Sequence, residues 1–297
     1  MKCFLSLVML ATVAATDIDW SRVRPIEEFD HYWARLPAKF QALRDAKPIA
    51  GRIINGYEAY PGQFPYQVVL ISYYGPRSAL CGASVLTNNF VLTAAHCVVD
   101  AAGGIALMGA HNRENNEPSQ QSVSFSPTGI NIHPDYSPTT IRNDVATVRL
   151  NIPIIFNDRV RPIRLPARSD ERLFSGWYAT VSGFGRVSDY YPYASDVLRY
   201  TYNAILTNSN CLDQWDNDAD VIGPQNICLS GEFGRASCSG DSGGPLTIFD
   251  YPYDSVQVGL VSFGSANGCA TGIPSVFARI TYFLHWIEEN SDYAVEE

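Results

Sequence analysis

The chain contains 297 residues, of which 46% are hydrophobic and 17% are charged, and its formal net charge is −9. This composition is that of a globular protein and excludes a disordered, collagen-like or fibrous chain. The acidic balance argues against nucleic acid or an anionic membrane surface as the main partner. Tyrosine, phenylalanine, glycine and proline are frequent, which favours an all-β fold with many turns.

The first residues have the pattern of a secretory signal. Lys2 precedes an apolar run over residues 3–13, and small residues follow up to Ala15. This pattern predicts a signal peptide over residues 1–15 and a secreted, extracellular protein. The run is too short to span a membrane, and no later stretch offers about 20 continuous apolar residues, so we expect no membrane partner.

The chain has seven cysteines, and Cys3 lies within the predicted signal. An even number remains in an exported chain, which predicts three disulfides, although the sequence leaves their pairing open. The cysteines do not form the close pairs that bind structural zinc, so we expect no metal at them. The remaining cysteines are Cys81, Cys97, Cys211, Cys228, Cys238 and Cys269.

Residues 16–52 differ in composition from the rest, because arginine and lysine are more frequent there. The stretch 27–46 predicts a pair of short amphipathic helices separated at Pro37. The segment ends at Arg52, which an arginine-specific protease could cut. We interpret it either as an N-terminal arm of the domain that follows or as a propeptide.

Residues 53–297 consist of short β-like stretches separated by turns. The C-terminal tail alone looks helical, because Phe283, Trp286 and Ile287 recur at three- and four-residue steps. This pattern predicts an all-β domain, closed or sandwiched, with a C-terminal helix. The clearest predicted strands are residues 65–73, 84–93, 144–150, 178–184 and 256–263.

A serine in a glycine-rich turn is the first candidate for chemistry. Ser242 lies in the sequence GDSGGP over residues 240–245, where the glycines permit sharp backbone turns. The turn also fits the nucleophile elbow of α/β-hydrolases, in which Asp254 and His285 would complete the site. An elbow leads into a helix, whereas Pro245 and a β-like stretch follow this serine, so the alternative is disfavoured.

A serine hydrolase site can also have the order histidine, aspartate, serine. His96 lies in the sequence TAAHC, beside a cysteine whose disulfide would hold the backbone. Asp144 opens an apolar strand, where its carboxylate can be buried. His96, Asp144 and Ser242 are therefore the candidate catalytic residues.

The sequences TAAHC, DVA and GDSGGP, together with IING at residues 53–56, resemble those of the chymotrypsin-like (trypsin-fold) serine endopeptidases. The resemblance covers residues 53–297, and its details are most similar to the arthropod brachyurin and chymotrypsin-like digestive branch. It implies two six-stranded Greek-key β-barrels with a C-terminal helix, and a site in the cleft between the barrels. It also implies a secreted hydrolase, with the gut lumen as its place of action.

The resemblance assigns a role to each catalytic position. Ser242 would be the nucleophile, His96 the general base, and Asp144 the group that orients the histidine. The backbone N–H groups of Gly240 and Ser242 would form the oxyanion hole. The disulfides that the resemblance implies are Cys81–Cys97, Cys211–Cys228 and Cys238–Cys269.

The resemblance also implies a zymogen. A trypsin-like protease would cut after Arg52, and the new ammonium group of Ile53 would pair with Asp241. No cysteine in the propeptide could tether it, so we expect it to leave after cleavage. The signal peptide, the activation propeptide and the serine peptidase domain would then be residues 1–15, 16–52 and 53–297.

Four positions would shape the substrate pocket. Ala236 stands where a trypsin needs an aspartate, so we expect a neutral pocket, and Gly264 leaves its mouth open to large side chains. Ser262 would help to hold the buried acid, and Ser275 crowds the pocket slightly. The implied preference is for aromatic residues, leucine or methionine, with an elastase-like preference for smaller aliphatic residues as the alternative.

Other readings of the function stay open. They are a collagenolytic enzyme, a regulatory protease outside digestion, and a non-catalytic binding homologue, which the three intact catalytic positions disfavour. We expect a monomer that acts on proteins or peptides without a cofactor. No metal is expected either, because Ala110 stands where calcium-binding relatives carry a glutamate.

Overall fold

The computed structural model describes residues 18–36, 38–41, 56–215, 221–252 and 254–297. These ranges contain two barrel-like β-sheets and few helices. The strands up to the middle of the chain are β1 (Val23–Pro25), β2 (Tyr57–Glu58), β3 (Gln67–Tyr74), β4 (Arg77–Val85), β5 (Phe90–Thr93), β6 (Gly104–Met108), β7 (Gln121–Phe125), β8 (Ile130–Ile132) and β9 (Ala146–Arg149). The later strands are β10 (Tyr178–Gly183), β11 (Arg199–Leu206), β12 (Asn226–Leu229), β13 (Pro245–Phe249), β14 (Ser255–Phe263) and β15 (Ser275–Arg279). The helices are α1 (Asp30–Trp33), α2 (Ala38–Gln41), α3 (Asn208–Gln214) and α4 (Ile280–Glu289).

The first barrel contains strands β3 to β9 in the order β7-β6-β3-β4-β5-β9-β8. Neighbouring strands along this path are antiparallel. Its core is apolar and includes Leu70, Val91 and Val148, which are fully buried. Burying such side chains stabilises the barrel by about 1.5–3 kcal/mol each.

The second barrel contains strands β10 to β15, and the pairing of β10 with β11 closes the ring. Strand β2 adds to its edge through β11. Its core includes Ile227, Leu246 and Phe277. The two-barrel fold with a C-terminal helix, predicted from the sequence, is therefore confirmed.

Helix α4 packs where the two barrels meet. Its buried residues Phe283 and Ile287 share one apolar cluster with Leu92 of the first barrel and Leu260 of the second. The 3.6-residue repeat in the sequence thus forms the buried face of the helix, as predicted. No helix among the described residues is long and apolar enough to cross a membrane.

Two local predictions are wrong. The stretch 84–93 is a hairpin rather than one strand, because the chain turns at Asn88 and Asn89 between β4 and β5. The tail is also not the only helix after residue 53, because α3 lies in the second half of the chain. The Thr207 side chain caps α3 by accepting a hydrogen bond from the backbone N–H of Asn210 at 3.1 Å.

The N-terminal segment, residues 18–36, lies against both barrels. Strand β1 runs parallel to β4, with Val23 opposite Ser78 and Pro25 opposite Leu80. Helices α1 and α2 lie on either side of position 37, as the sequence predicts. The end of the predicted helix pair, residues 42–46, lies outside the described residues.

Candidate active site

An acid and a histidine are in contact at the edge of the first barrel. Nδ1 of His96 lies 2.8 Å from Oδ2 of Asp144, and the backbone N–H of His96 donates to Oδ1 at 3.0 Å. Ser262 of the second barrel donates its hydroxyl proton to Oδ2 of Asp144 at 2.5 Å. All three side chains are buried. The sequence-predicted residues His96, Asp144 and Ser262 are thus brought together.

The environment of this pair moves both pKa values. Burial alone would raise the pKa of Asp144, but the charge and hydrogen bonds of His96 and the Ser262 hydroxyl hold it below its usual value. Burial alone would lower the pKa of His96, but the charge and hydrogen bond of Asp144 raise it above its usual value, and the charge of Glu27 adds to this effect. The carboxylate therefore stays ionised beside the ring.

Ser242 lies in the loop before β13, between two glycines with positive φ. Gly240 has φ +96° and Gly243 has φ +78°, a backbone region that residues with a side chain rarely adopt. The carbonyl of Ser242 accepts a hydrogen bond of 2.7 Å from the backbone N–H of Gly82 in β4. This contact fixes the serine of the second barrel against the first barrel.

The Ser242 hydroxyl has an unexpected partner. It donates to Oε1 of Glu27 at 2.5 Å, and the backbone N–H of Gly240 donates to Oε2 of the same carboxylate at 3.1 Å. Nε2 of His96 has no hydrogen-bond partner among the described residues. The glutamate therefore occupies both the hydroxyl and one of the two predicted oxyanion donors.

Asp241, next to the serine, is a buried carboxylate. Its oxygens accept hydrogen bonds from the backbone N–H groups of Gly185 at 2.7 Å and Cys238 at 2.9 Å. Burial nevertheless raises the pKa of Asp241 from 3.8 to about 6. A Cβ atom on Gly183 or Gly185 would lie within 3 Å of this carboxylate, so both positions need glycine. The predicted activation residues Arg52 and Ile53 lie outside the described residues.

A cavity of about 480 Å³ opens beside Ser242, and all four predicted pocket residues line it. Ala236 is buried in its wall, and Gly264 is exposed, with open space around its Cα. The hydroxyl oxygen of Ser275 accepts a hydrogen bond from the backbone N–H of Ser237 at 3.2 Å, which anchors it in the wall. Among the described residues, the wall is largely neutral near Ala236 and Ser275.

Sequence reasoning missed the acidic residues of this cavity, which are Glu27, Glu28 and Asp189. Asp189 lies on its wall, and its carboxylate accepts hydrogen bonds from the backbone N–H groups of Cys269 at 2.8 Å and Ala270 at 3.3 Å. Both oxygens are thus used to hold the loop that carries the Cys238–Cys269 disulfide. An aspartate in a loop gives no sequence signal for such a contact.

Three disulfides are formed, with the pairing that the resemblance implied. Cys81–Cys97 lies in the first barrel directly beside His96 and holds that backbone in place. The other two disulfides, Cys211–Cys228 and Cys238–Cys269, lie in the second barrel. Two clusters of possible metal ligands occur among the described residues, and the cysteines of both clusters are paired in these disulfides.

The elbow alternative for Ser242 does not fit the structure. A strand, β13, follows the serine, whereas an elbow leads into a helix. His285 is largely exposed on α4, where its Nε2 lies 3.3 Å from Glu289. The histidine of that alternative is therefore placed on the outer surface of the C-terminal helix.

The two-barrel fold and the geometry of the site are those of the two-barrel serine proteases. The Trypsin family matches residues 53–287 of the chain. The chain is 37% identical over 245 residues to a chymotrypsin of Phaedon cochleariae, covering 82% of this chain and 84% of the relative. It is also 37% identical over 258 residues to a collagenase of Hypoderma lineatum, covering 86% of this chain and 91% of the relative.

Two further comparisons agree. A brachyurin of Leptuca pugilator is 35% identical over 237 residues, covering 80% of this chain and 97% of the relative. A solved structure of HL collagenase matches with a TM-score of 0.72 at 36% identity, covering 82% of this chain and all of that one. The chain therefore belongs to the trypsin family and is a serine endopeptidase.

Proposed function

We propose that this chain is the secreted zymogen of a chymotrypsin-like digestive endopeptidase, with His96, Asp144 and Ser242 as its catalytic triad. The observation that carries the proposal is the buried hydrogen bond between Asp144 and His96, beside the loop of Ser242. The signal, the propeptide and the peptidase domain would be residues 1–15, 16–52 and 53–297.

The chemistry follows from the charges of these groups. A serine hydroxyl is a weak nucleophile at its ordinary pKa, so His96 Nε2 would remove its proton as Ser242 attacks the peptide carbonyl. Asp144 would hold the ring in the required tautomer and stabilise the imidazolium that forms. His96 would then protonate the leaving amine, and water would hydrolyse the acyl-enzyme by the same route.

The oxyanion of each tetrahedral intermediate would bind to the backbone N–H groups of Gly240 and Ser242. Such a donor typically contributes about 3–4 kcal/mol to the stability of the transition state. The N–H of Gly240 already binds a carboxylate oxygen of Glu27, which supports its assignment as a donor to negative oxygen.

Activation would begin with cleavage after Arg52. The small cavity at Asp241 is also lined by Gly56, and the chain from residue 53 to 56 can extend about 10 Å. The ammonium group of Ile53 could therefore reach the buried carboxylate. An opposite charge there lowers the pKa of a carboxylate and offsets the cost of burying it.

The pocket supports a preference for apolar side chains. Ala236 brings no charge to its wall, and Gly264 leaves space at its mouth. The neutral hydroxyl of Ser275 accepts a hydrogen bond from the Ser237 N–H, so its side chain is held in the wall and narrows the pocket. Aromatic residues, leucine and methionine are the proposed substrates. Relatives named chymotrypsin support this specificity, and those named collagenase favour collagen cleavage as the second candidate.

The test is to express the full chain, treat it with trypsin, and assay peptide amides with Phe, Leu, Ala or Arg at the cleaved position. Turnover of Phe or Leu substrates that appears together with an Ile53 terminus, and is absent in Ser242→Ala, supports the proposal. Turnover of Arg substrates instead would contradict the pocket assignment. Triple-helical collagen, offered in the same assay, decides the second candidate.

A further inference from the structure

The N-terminal segment, residues 18–36, is packed into the molecule rather than lying along its surface. Val23, Ile26 and Phe29 are at most 6% exposed. Ile26 and Phe29 belong to the core cluster of the first barrel. Val23 joins a second cluster that includes Phe184. These side chains give the segment an apolar interface comparable to the interior of the protein.

The same segment covers the substrate cavity. Trp33 and Leu36 line that cavity together with Ala236 and Ser275. The indole N–H of Trp33 donates to the backbone carbonyl of Glu27 at 2.6 Å, which folds the segment back on itself over the site. The segment thus forms part of the wall of the cavity in which a substrate side chain would bind.

The acid–base residues are covered as well. The ring of Tyr32 lies edge-on to that of His96, with the centroids 5.6 Å apart. Burial raises the pKa of Tyr32 well above its usual value, so its hydroxyl stays neutral beside His96. The segment therefore contacts the histidine, the serine and the substrate pocket together.

Charged contacts hold the rim of the segment. Glu28 pairs with Arg186 at 2.5 Å, and Arg35 pairs with Asp100 at 2.6 Å. The guanidinium of Arg113 lies over the ring of Trp20, 4.7 Å from its centroid. Partly exposed pairs of this kind add little affinity, but they fix the orientation of the bound segment.

We propose that residues 18–36 are an inhibitory ligand of the catalytic cleft, with Glu27 as the group that occupies the oxyanion site. This inference rests on the proposed function. The segment remains bound without a covalent link after cleavage at Arg52, and full activity requires that it dissociates or is degraded. Activation then has two steps, and the expected loss of the propeptide at cleavage becomes a separate event.

The chemistry of Glu27 explains why the segment inhibits rather than reacts. The group at Ser242 Oγ and at the Gly240 N–H is a side-chain carboxylate, not a peptide carbonyl. A carboxylate is a poor electrophile because its charge is delocalised over both oxygens, so the serine has no bond to cleave there. Its negative charge suits donors that stabilise an oxyanion.

The test uses the enzyme cut at Arg52 and freed from its propeptide by gel filtration, with a synthetic peptide of residues 18–36 as the probe. We expect competitive inhibition, which raises KM for a small amide substrate and leaves kcat unchanged. A Glu27→Gln peptide should inhibit at least tenfold more weakly. An Asp19→Asn peptide is the matched control, since Asp19 is exposed and its carboxylate accepts hydrogen bonds from Ser21 of the same segment, and it should inhibit within twofold of the parent.

Mass spectrometry of the mixture separates an inhibitor from a substrate. An intact peptide with the expected inhibition supports the proposal, whereas rapid cleavage within residues 26–33 overturns it. Absence of inhibition at 100 times the enzyme concentration and at millimolar peptide also overturns it. Equal inhibition by the parent and the Glu27→Gln peptide would refute the role of Glu27 in the oxyanion site.

A binding measurement keeps this inference separate from the proposed function. Calorimetric titration of the same peptides into the cut Ser242→Ala chain requires no turnover. Suppose that the cut wild-type chain hydrolyses no amide, but that the parent and control peptides bind more tightly than the Glu27→Gln peptide. The proposed activity then fails, and the proposed inhibitory ligand stands. If amides are hydrolysed and no peptide binds, the proposed activity stands and the proposed inhibitory ligand fails.

Discussion

The two halves of the site differ in how far they are assembled. In the first barrel, His96 and Asp144 are in direct contact, and a hydroxyl from the second barrel completes the environment of the acid. In the second barrel, Ser242 donates to Glu27, and the buried carboxylate of Asp241 accepts hydrogen bonds from the backbone N–H groups of Gly185 and Cys238. The proposed acid–base pair is thus already in contact in the full chain, whereas the proposed nucleophile makes other contacts.

This difference locates the control of activity. The Asp144–His96 pair depends on local structure, since the Cys81–Cys97 disulfide holds the histidine backbone beside it. The nucleophile loop depends on groups that cleavage and dissociation would change. If the whole site were preformed in the uncut chain, only the bound N-terminal segment, residues 18–36, would prevent catalysis.

The largest expected effect tests the nucleophile half. After cleavage at Arg52, Ser242→Ala should lower kcat about 10⁶-fold, because the substitution removes the proposed attacking oxygen. Steady-state amide hydrolysis measures the loss, and circular dichroism checks the fold. A variant that retained a hundredth of the activity would show that another residue is the nucleophile.

The next effect tests the acid–base half. Asp144→Asn keeps the size of the side chain but removes the charge that orients His96, so kcat should fall about 10⁴-fold at pH 7. The same assay with Asp158→Asn provides a control, because Asp158 is an almost fully exposed carboxylate. A loss of less than tenfold for Asp144→Asn would contradict the assigned role.

Asp241 gives the uncut chain a distinct dependence on pH. Its pKa is about 6 in the folded chain and 3.8 in the reference state, so the folded form binds the proton more tightly. The resulting stabilisation is complete below pH 3.8 and is lost as the pH rises through about 6, a change of roughly 3 kcal/mol. Other carboxylates contribute their own pH dependence, which the same measurement on a variant subtracts.

The variant is Asp241→Asn in the full chain. Urea unfolding at pH 4 and at pH 7 should show that the wild type loses roughly 2 kcal/mol more stability than the variant between these values, because at pH 4 the unfolded carboxyl is already partly ionised. In the chain cut at Arg52 the difference should shrink or reverse, because the ammonium group favours the charged carboxylate. Identical pH dependence of the uncut wild type and the uncut variant would refute the buried, unpaired acid.

The smallest expected effect concerns Ser262, which acts through Asp144 as a positioning residue. Ser262→Ala removes a hydrogen bond to a charged group, which is worth about 1.5–3 kcal/mol, and only part of this should reach the transition state. We expect kcat to fall about tenfold with little change in KM. The acidic limb of the pH–rate profile, which reports the base His96, should shift to higher pH, because a carboxylate that has lost the Ser262 hydrogen bond stabilises the protonated ring more strongly. An unchanged profile would indicate a structural role alone.

The sequence indicates which residues form the candidate site, but it does not indicate which contacts those residues make in the full chain. The motifs around His96, Asp144 and Ser242 are short and local, so each can be recognised without knowledge of the fold. The contact of Glu27 with Ser242 joins positions 215 residues apart, and no periodic pattern relates them. It forms because the apolar residues around Glu27 find a buried place on the first barrel.

The same distinction applies to the strands. Stretches rich in β-branched and aromatic residues predict the core strands, but residues 84–93 have such residues on both sides of Asn88 and Asn89. The asparagine pair was the signal for a turn there. Helix α3 was missed because its residues are mostly polar, and only the capping residue Thr207 marks its start.

The placement of the disulfides has a consequence for how the molecule fails under stress. Each bridge closes a short stretch of chain, with sequence separations of 16, 17 and 31, and no bridge among the described cysteines joins the two barrels. The barrels are held together by apolar packing around α4 and by buried hydrogen bonds such as Ser84 to Gln257 at 2.7 Å. Each barrel is therefore stabilised by disulfides, whereas the interface between the two barrels is noncovalent and is the part that heat or denaturant can disrupt first. Because the catalytic groups lie on both sides of that interface, catalysis should be lost by a small separation of the barrels before the β-structure of either one melts.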